Sequence, residues 1–260
     1  MLSYQHGYHA GNLADVHKHA MLASILARMT AKAKPLSYIE THAGRGLYDL
    51  TDAMALKTGE AAQGIGRVGG WFAPDHPYAR ALEATRAQYG AQTYPGSPLI
   101  AGHLTRPGDR LHLVERHPTE HAALCQAVTP FGAQVHKGDG HALALSLTPP
   151  TPRRGLMLID PSYELDTDYK GLPRLITAIA RKWNVGVIML WYPLLTRPRH
   201  GAMLASLSAT QPEGMRHEVT FPPARRGHGM IGSGLFILNP PWGLSEEADR
   251  LSKCFAALTG

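Results

Sequence analysis

Cysteine is almost missing from this chain. Its 260 residues contain two, Cys125 and Cys254, each inside a helix-like stretch (HAALCQAV and LSKCFAAL). No C-x-x-C pair occurs, so neither a disulfide framework nor a structural zinc site is expected. Long apolar runs are missing too: none approaches the ~18 residues of a membrane span. The opening MLSYQHGYHAGN lacks the basic-then-apolar layout of a signal peptide. These absences point to a cytoplasmic protein without a membrane partner. No internal repeat or low-complexity segment interrupts the chain.

The hydrophobic fraction of 44% is ordinary for a globular protein, and the length suits one large domain or one domain with an insertion. The net charge of +6 suits a polyanionic partner, whose phosphates would supply much of the affinity.

Residues 13–32 read as a helix capped by Asn12, with Val16, Ala20, Ala23 and Ala27 marking one apolar side. Leu36–Glu40 reads as a short buried strand running into a turn with Gly44 and Gly46. From 49 to 104, glycines, prolines and amphipathic helical pieces mix with no clear strand, which suggests a mainly helical insertion between two parts of one domain, 1–48 and 105–260. Strands are then expected at Leu111–Val114, Ala133–His136, Leu156–Ile159, Val185–Leu190, His217–Phe221 and Leu235–Leu238, with helices between most of them. This rhythm predicts an α/β fold with a seven-stranded, mostly parallel, Rossmann-like methyltransferase sheet and an antiparallel pair at one edge.

Ligands of open α/β sheets bind beyond the carboxyl ends of the strands. Gly44 and Gly46 follow the first strand, where backbone must approach a ligand closely. Glu115 ends the next, where a carboxylate can accept from ribose hydroxyls. Asp139 ends the third, where it can receive an adenine amine, and Asp160 ends the fourth. A nicotinamide enzyme is disfavoured, because the third glycine of its fingerprint is missing and the ribose-type acid follows a long insertion.

Asp160-Pro161-Ser162-Tyr163 departs by one residue from the D/N-P-P-Y/F signature of amine methyltransferases. An exocyclic amine on a base shares its lone pair with the ring and is a poor nucleophile. Asp160 and the Pro161 carbonyl can accept from its N–H groups, pull the nitrogen toward a tetrahedral shape and free the lone pair. An aromatic ring at Tyr163 can stack on an extruded base. Carbon-5 pyrimidine methylation would need an accessible nucleophilic cysteine, and radical chemistry a three-cysteine cluster. Asn239-Pro240-Pro241-Trp242 matches a related pattern but follows the last strand, away from the cofactor loops. The histidines His6, His9, His17, His19 and His42 are not expected to hold a metal, since the His17-x-His19 spacing points two helical side chains apart.

Taken together, the chain resembles the RlmJ family, bacterial enzymes that methylate the N6 amine of one adenine in 23S rRNA. The resemblance rests on Met1-Leu2-Ser3-Tyr4, His9-Ala10-Gly11-Asn12, Ala14-Asp15, Lys18-His19, Thr41-His42-Ala43-Gly44, Pro95-Gly96-Ser97-Pro98, Glu115, Asp139-Gly140, Asp160-Pro161, Tyr163-Glu164 and Asn239-Pro240-Pro241-Trp242. It implies S-adenosylmethionine contacts by His19, His42, Ser97, Glu115, Asp139, Gly140 and Asp160, receipt of the amine protons by Asp160, and contact of Tyr4 with the RNA. It implies a monomer acting on free rRNA before ribosome assembly is complete. Ser162 stands where the family usually has a second proline, which frees a backbone N–H and keeps the Pro161 carbonyl. Lys18, Arg225 and Arg226 are further candidates for RNA contact, the last two in the loop PARRGHG. Two alternatives stay open: methylation of another amine such as guanine N2, and an RNA-binding protein that has lost catalysis.

Overall fold

A computed structural model describes residues 5–225, 227 and 229–258. Tyr4 and Arg226, two of the expected RNA contacts, lie outside the described residues. Helix α1 (Leu13–Thr30) starts at Asn12, whose side chain accepts from the Asp15 N–H. At its far end the Arg106 guanidinium donates to the Thr30 carbonyl (2.7 Å), an oxygen that the helix leaves open, and to the Lys32 carbonyl (2.6 Å) in the turn beyond it. Strand β1 (Ser37–Glu40) follows, then β2 (Leu47–Asp49). The insertion carries α2 (Ala53–Thr58), α3 (Glu60–Gln63), α4 (Ile65–Val68) and α5 (Pro77–Tyr89). Strand β3 (Thr93–Pro95) closes it by pairing antiparallel with β2. This small sheet corrects the strandless insertion expected from the sequence: strands of three residues are too short to show an alternation.

The chain continues through α6 (Ser97–Leu104), β4 (Arg110–Glu115), α7 (Pro118–Ala127), β5 (Gln134–Lys137), α8 (Gly140–Ser146) and β6 (Gly155–Ile159). It ends with α9 (Asp166–Lys182), β7 (Val187–Leu195), α10 (Gly201–Thr210), β8 (Met215–Thr220), β9 (Met230–Leu238) and α11 (Leu244–Ala256). The seven-stranded sheet has the order β5-β4-β1-β6-β7-β9-β8. The first five strands are mutually parallel, and β9 runs antiparallel to both β7 and β8. The expected architecture is therefore present. Strand β7 runs five residues past the expected end at Leu190. Its register with β6 stops at Ile159↔Leu190, so beyond that point only β9 pairs with it, and Pro193 sits on a one-sided stretch where a missing N–H is tolerated.

Alternation along the strands sorts the core onto two faces. Tyr38, Leu156, Leu158 and Met189 pack with α1, α6 and α11, whereas Ile39, Met157, Ile159 and Leu190 pack with α9 and α10. Helix α1 is buried on nearly every side, not on the single apolar side expected from Val16, Ala20, Ala23 and Ala27. The insertion covers the side that would otherwise face water: Ile65, Val68, Tyr78 and Tyr94 share one apolar cluster with α1 and the sheet. Asp15, Lys18 and His19 are thereby enclosed, and His17 is buried against β8, β9 and α11.

The insertion locks onto α1 through backbone. The Ile65 N–H donates to the Gly11 carbonyl at 2.8 Å, and a methyl group on Gly64 would lie 2.1 Å from that same oxygen. Overpacking of this kind costs about 1–3 kcal/mol, so Gly64→Ala is expected to lower the thermal midpoint by roughly 2–10 °C in a chain of this size. An unchanged midpoint in differential scanning calorimetry would show that the junction relaxes freely.

Candidate active site

The strand order reverses between β1 and β6, and the crevice beyond their carboxyl ends is where an open α/β sheet binds ligand. Glu40 ends β1 and Asp160 directly follows β6. Asp160 is partly exposed, whereas Glu40 is fully buried. The Lys18 side chain reaches from α1 to place its ammonium 2.6 Å from Asp160 Oδ2 and 3.1 Å from Asp15 Oδ1. Burial alone would lower the Lys18 pKa, but the carboxylates of Asp160 and Asp15 outweigh it and hold the ammonium charged. Asp15 also accepts from the Gly11 N–H (2.9 Å) and from His6 Nε2 (2.9 Å).

Glu40 responds to the same surroundings in the opposite sense. Burial pushes its carboxyl up to about 8, against hydrogen bonds from Ser97 Oγ (2.5 Å) and Tyr38 OH (2.9 Å), with nearby Asp160 raising it further. The site thus holds a carboxylate paired with a lysine beside a carboxyl pushed toward its neutral form.

A second group surrounds the turn after β1. Glu115 accepts from the Gly44 N–H through Oε2 (2.8 Å) and from the His117 N–H through Oε1 (2.7 Å). Gly44 and Gly46 have φ of +61° and +77°, the conformation that favours glycine. His42 Nδ1 lies 2.7 Å from Thr41 Oγ1, and burial with His141 beside it pushes the imidazole well down, so it is neutral. Asp139 caps α8 by accepting from the Ala142 N–H (3.0 Å), with Arg116 at 3.6 Å from its other oxygen. Gly140 has no room for a side chain: a methyl group there would lie 2.1 Å from the Thr41 carbonyl.

His19, Lys18, Ser97 and Asp160 therefore gather at the β1–β6 crevice, and His42, Glu115, Asp139 and Gly140 line the adjoining turn. His19 is buried, with Nδ1 2.8 Å from Tyr94 OH, and burial pushes it down to about 3. Lys18, expected among RNA contacts, is enclosed within the site and presents no surface to a phosphate. Arg225 is exposed on the β8–β9 loop, which Gln63 of α3 holds through the Ala224 carbonyl (3.3 Å). Tyr163 (φ +55°) is 7% exposed, with its hydroxyl donating to the Trp191 carbonyl (2.7 Å) and its ring 4.6 Å from that of Tyr169. That placement leaves Tyr163 no free face for the stacking expected of it. Ser162 is exposed, so serine in place of proline removes no packing, and Pro161 is buried. Asn239 lies at the opposite end of the sheet, because β9 is antiparallel and Leu238 pairs with Ile188 near the start of β7. The sequence reading missed Glu40 and Trp191. Glu40 carried the same mark as Glu115, an acid ending a strand; Trp191 carried none.

This sheet, with acids at the ends of β1, β4 and β6, defines a Rossmann-like S-adenosylmethionine-dependent methyltransferase. The chain belongs to the family described as "Ribosomal RNA large subunit methyltransferase D, RlmJ", whose model matches residues 33–258. It is 38% identical to ribosomal RNA large subunit methyltransferase J of Escherichia coli (strain K12), covering 100% of this chain and 96% of that protein. The corresponding protein of Haemophilus influenzae is 37% identical, covering 96% and 92%. The crystal structure of protein LPL1258 from Legionella pneumophila str. Philadelphia 1 superposes with a TM-score of 0.86 at 34% identity, covering 96% of this chain and 94% of that one.

The residues present fit the cofactor. Each Glu115 oxygen accepts one backbone N–H and keeps capacity for a hydroxyl. His141 Nε2, beside His42, is buried with no hydrogen-bond partner among the described residues, an orphan that a polar ligand would satisfy. Glu115, Asp139 and His42 would hold the nucleoside part.

The raised Glu40 pKa has a consequence for stability. Between its ordinary value near 4.5 and about 8, the folded protein keeps a proton that the unfolded chain has released. Stability from this group is full below that window and is lost as pH rises through it, with a slope of at most ~1.4 kcal/mol per pH unit. Glu40→Gln removes the ionisation, so the stability difference between variant and wild type is expected to move in the variant's favour from pH 5 to 8. Parallel urea-denaturation profiles across that range would refute the assignment.

Proposed function

We propose that this chain, a large-subunit ribosomal RNA methyltransferase by family, transfers a methyl group from S-adenosylmethionine to the exocyclic N6 amine of an adenine in 23S rRNA, acting as a cytoplasmic monomer on free rRNA during ribosome biogenesis. The observation that carries the reading is the Lys18–Asp160 pair at the β1–β6 crevice. Lys18 occupies Asp160 Oδ2 and fixes the carboxylate, and Oδ1 retains capacity to accept from an amine. The Pro161 carbonyl supplies the second acceptor. With both N–H groups held, the amine nitrogen loses conjugation with the ring and its lone pair becomes available. S-adenosylmethionine supplies an electrophilic methyl group when bound. The surplus proton on nitrogen then has Asp160 as its acceptor, and alignment of the reacting groups lowers the barrier. The insertion and the Arg225 loop are the proposed RNA-facing parts, contacting phosphates. The residues 1–48 and 105–260 form the methyltransferase domain in this reading, with 49–104 as its RNA-holding insertion.

Purified protein incubated with unmodified 23S rRNA transcript and labelled S-adenosylmethionine should yield N6-methyladenosine on nucleoside analysis. Asp160→Ala should lower turnover by about 10²–10⁴-fold and keep the fold by circular dichroism. Label recovered in N2-methylguanosine would overturn the choice of base. RNA binding without any label would leave the non-catalytic RNA-binding reading.

A further inference from the structure

A line of polar side chains, buried along its middle, runs from the catalytic crevice to α11, and each comes from a different element. Trp191 on β7 places Nε1 2.9 Å from Ser233 Oγ on β9. The same hydroxyl lies 2.8 Å from His17 Nδ1 on α1. His17 Nε2 lies 2.9 Å from His217 Nδ1 on β8. His217 Nε2 lies 2.9 Å from Ser252 Oγ on α11, and the ring also bonds the Ala248 carbonyl one turn earlier on that helix. Ser233 and His17 are fully buried, and His217 is 8% exposed.

The chemistry at the α11 end sets the direction of the hydrogen bonds along the string. An indole N–H can only donate, so Ser233 Oγ accepts from Trp191. A carbonyl can only accept, so the His217 nitrogen facing α11 carries its proton. Burial holds both imidazoles neutral, and each then has one donor and one acceptor. The one arrangement using each proton once runs Trp191 to Ser233, Ser233 to His17 Nδ1, His17 Nε2 to His217 Nδ1, and His217 Nε2 to α11. The Trp191 N–H, a donor only, fits that polarity, because a hydroxyl that donates to His17 can still accept from the indole. A string so fully satisfied specifies a single geometry, whereas apolar side chains of similar volume would tolerate several.

At its catalytic end the string holds one thing, the Trp191 indole. Trp191 follows the Ile159↔Leu190 pair and so lies beside Asp160. It is partly exposed, and the Lys18 ammonium that pairs with Asp160 stands 5.6 Å from its ring centroid. Tyr163 has its ring packed inward and its hydroxyl committed to the Trp191 backbone. Among the described residues, the aromatic surface left beside Asp160 is that of Trp191.

We infer that Trp191 is the aromatic platform that receives the extruded base, and that Ser233, His17 and His217 are positioning residues that set the angle of its indole. This rests on the reading of the chain as a base methyltransferase. Purine-on-indole contact is insensitive to hydrogen-bond pattern, so the platform sets where the base lies, and Asp160 with Pro161 senses the amine.

The test is a double-mutant cycle on the full chain with unmodified 23S rRNA transcript. Trp191→Ala is expected to lower kcat/KM for RNA by 50-fold or more. Ser233→Ala should lower kcat about tenfold, with S-adenosylhomocysteine affinity by calorimetry within twofold of wild type. In a Trp191→Phe background, which keeps a ring but has no N–H to hold, Ser233→Ala should cost less than twofold further. An equal loss from Ser233→Ala in both backgrounds would show that the string stabilises the fold only and would overturn the inference. So would a Trp191→Ala variant with wild-type kcat/KM. If the wild type itself methylates no 23S rRNA base, the function reading fails and takes this inference with it; a methylating wild type with an uncoupled cycle sinks the inference alone.

Discussion

One buried ammonium organises the site. Lys18 lies inside the protein, where an isolated charge is expensive, and it is stable there because Asp15 and Asp160 flank it. The three residues belong to one helix and to the end of one central strand, so the pair fixes α1 against the carboxyl edge of the sheet. Asp15 in turn is held by the Gly11 N–H and His6, and Asn12, which caps the helix, is held by Glu60 of the insertion at 3.0 Å. Sheet, helix and insertion are therefore linked through one run of ionic and backbone contacts. Removing either carboxylate would leave the ammonium one partner in place of two.

The same enclosure separates two carboxyl groups by role. Asp160 shares a lysine and opens to the crevice. Glu40, two strand positions past Tyr38 on the same face, is enclosed by hydroxyl groups and pushed toward its neutral form. Neighbouring acids with differently tuned protonation are a common way to run proton chemistry near neutrality. Ser97 joins this group because Pro95-Gly96 brings α6 back across β2, where the Gly96 N–H donates to the Gly46 carbonyl (2.7 Å). The turn after β1 is thus braced from both sides, by Glu115 through Gly44 and by Gly96 through Gly46.

Much of this was legible beforehand. The strand rhythm, the acids at Glu115, Asp139 and Asp160, the Asn12 cap and the antiparallel edge all follow from local rules of periodicity and capping, and each is present. The three-residue strands β2 and β3 were not, because they have no period. Lys18 reads as a surface cation on any helical wheel; only the insertion folding over α1 turns it into a buried partner of Asp160. Tyr163 was expected to stack, since its neighbours in the tetrapeptide say nothing about a positive φ that swings the ring toward Tyr169.

By itself, then, the sequence determined the order of the strands in the main sheet, the class of fold and the acids placed at the strand ends. Those depend on side-chain periodicity and on residue types at strand ends, which are local properties. Tertiary structure alone decided which charges are buried, where the Tyr163 and Trp191 rings lie, and how His17, 200 residues away from His217, comes within 2.9 Å of it. These depend on desolvation and on contacts between distant segments, and neither is a property of any short stretch of chain.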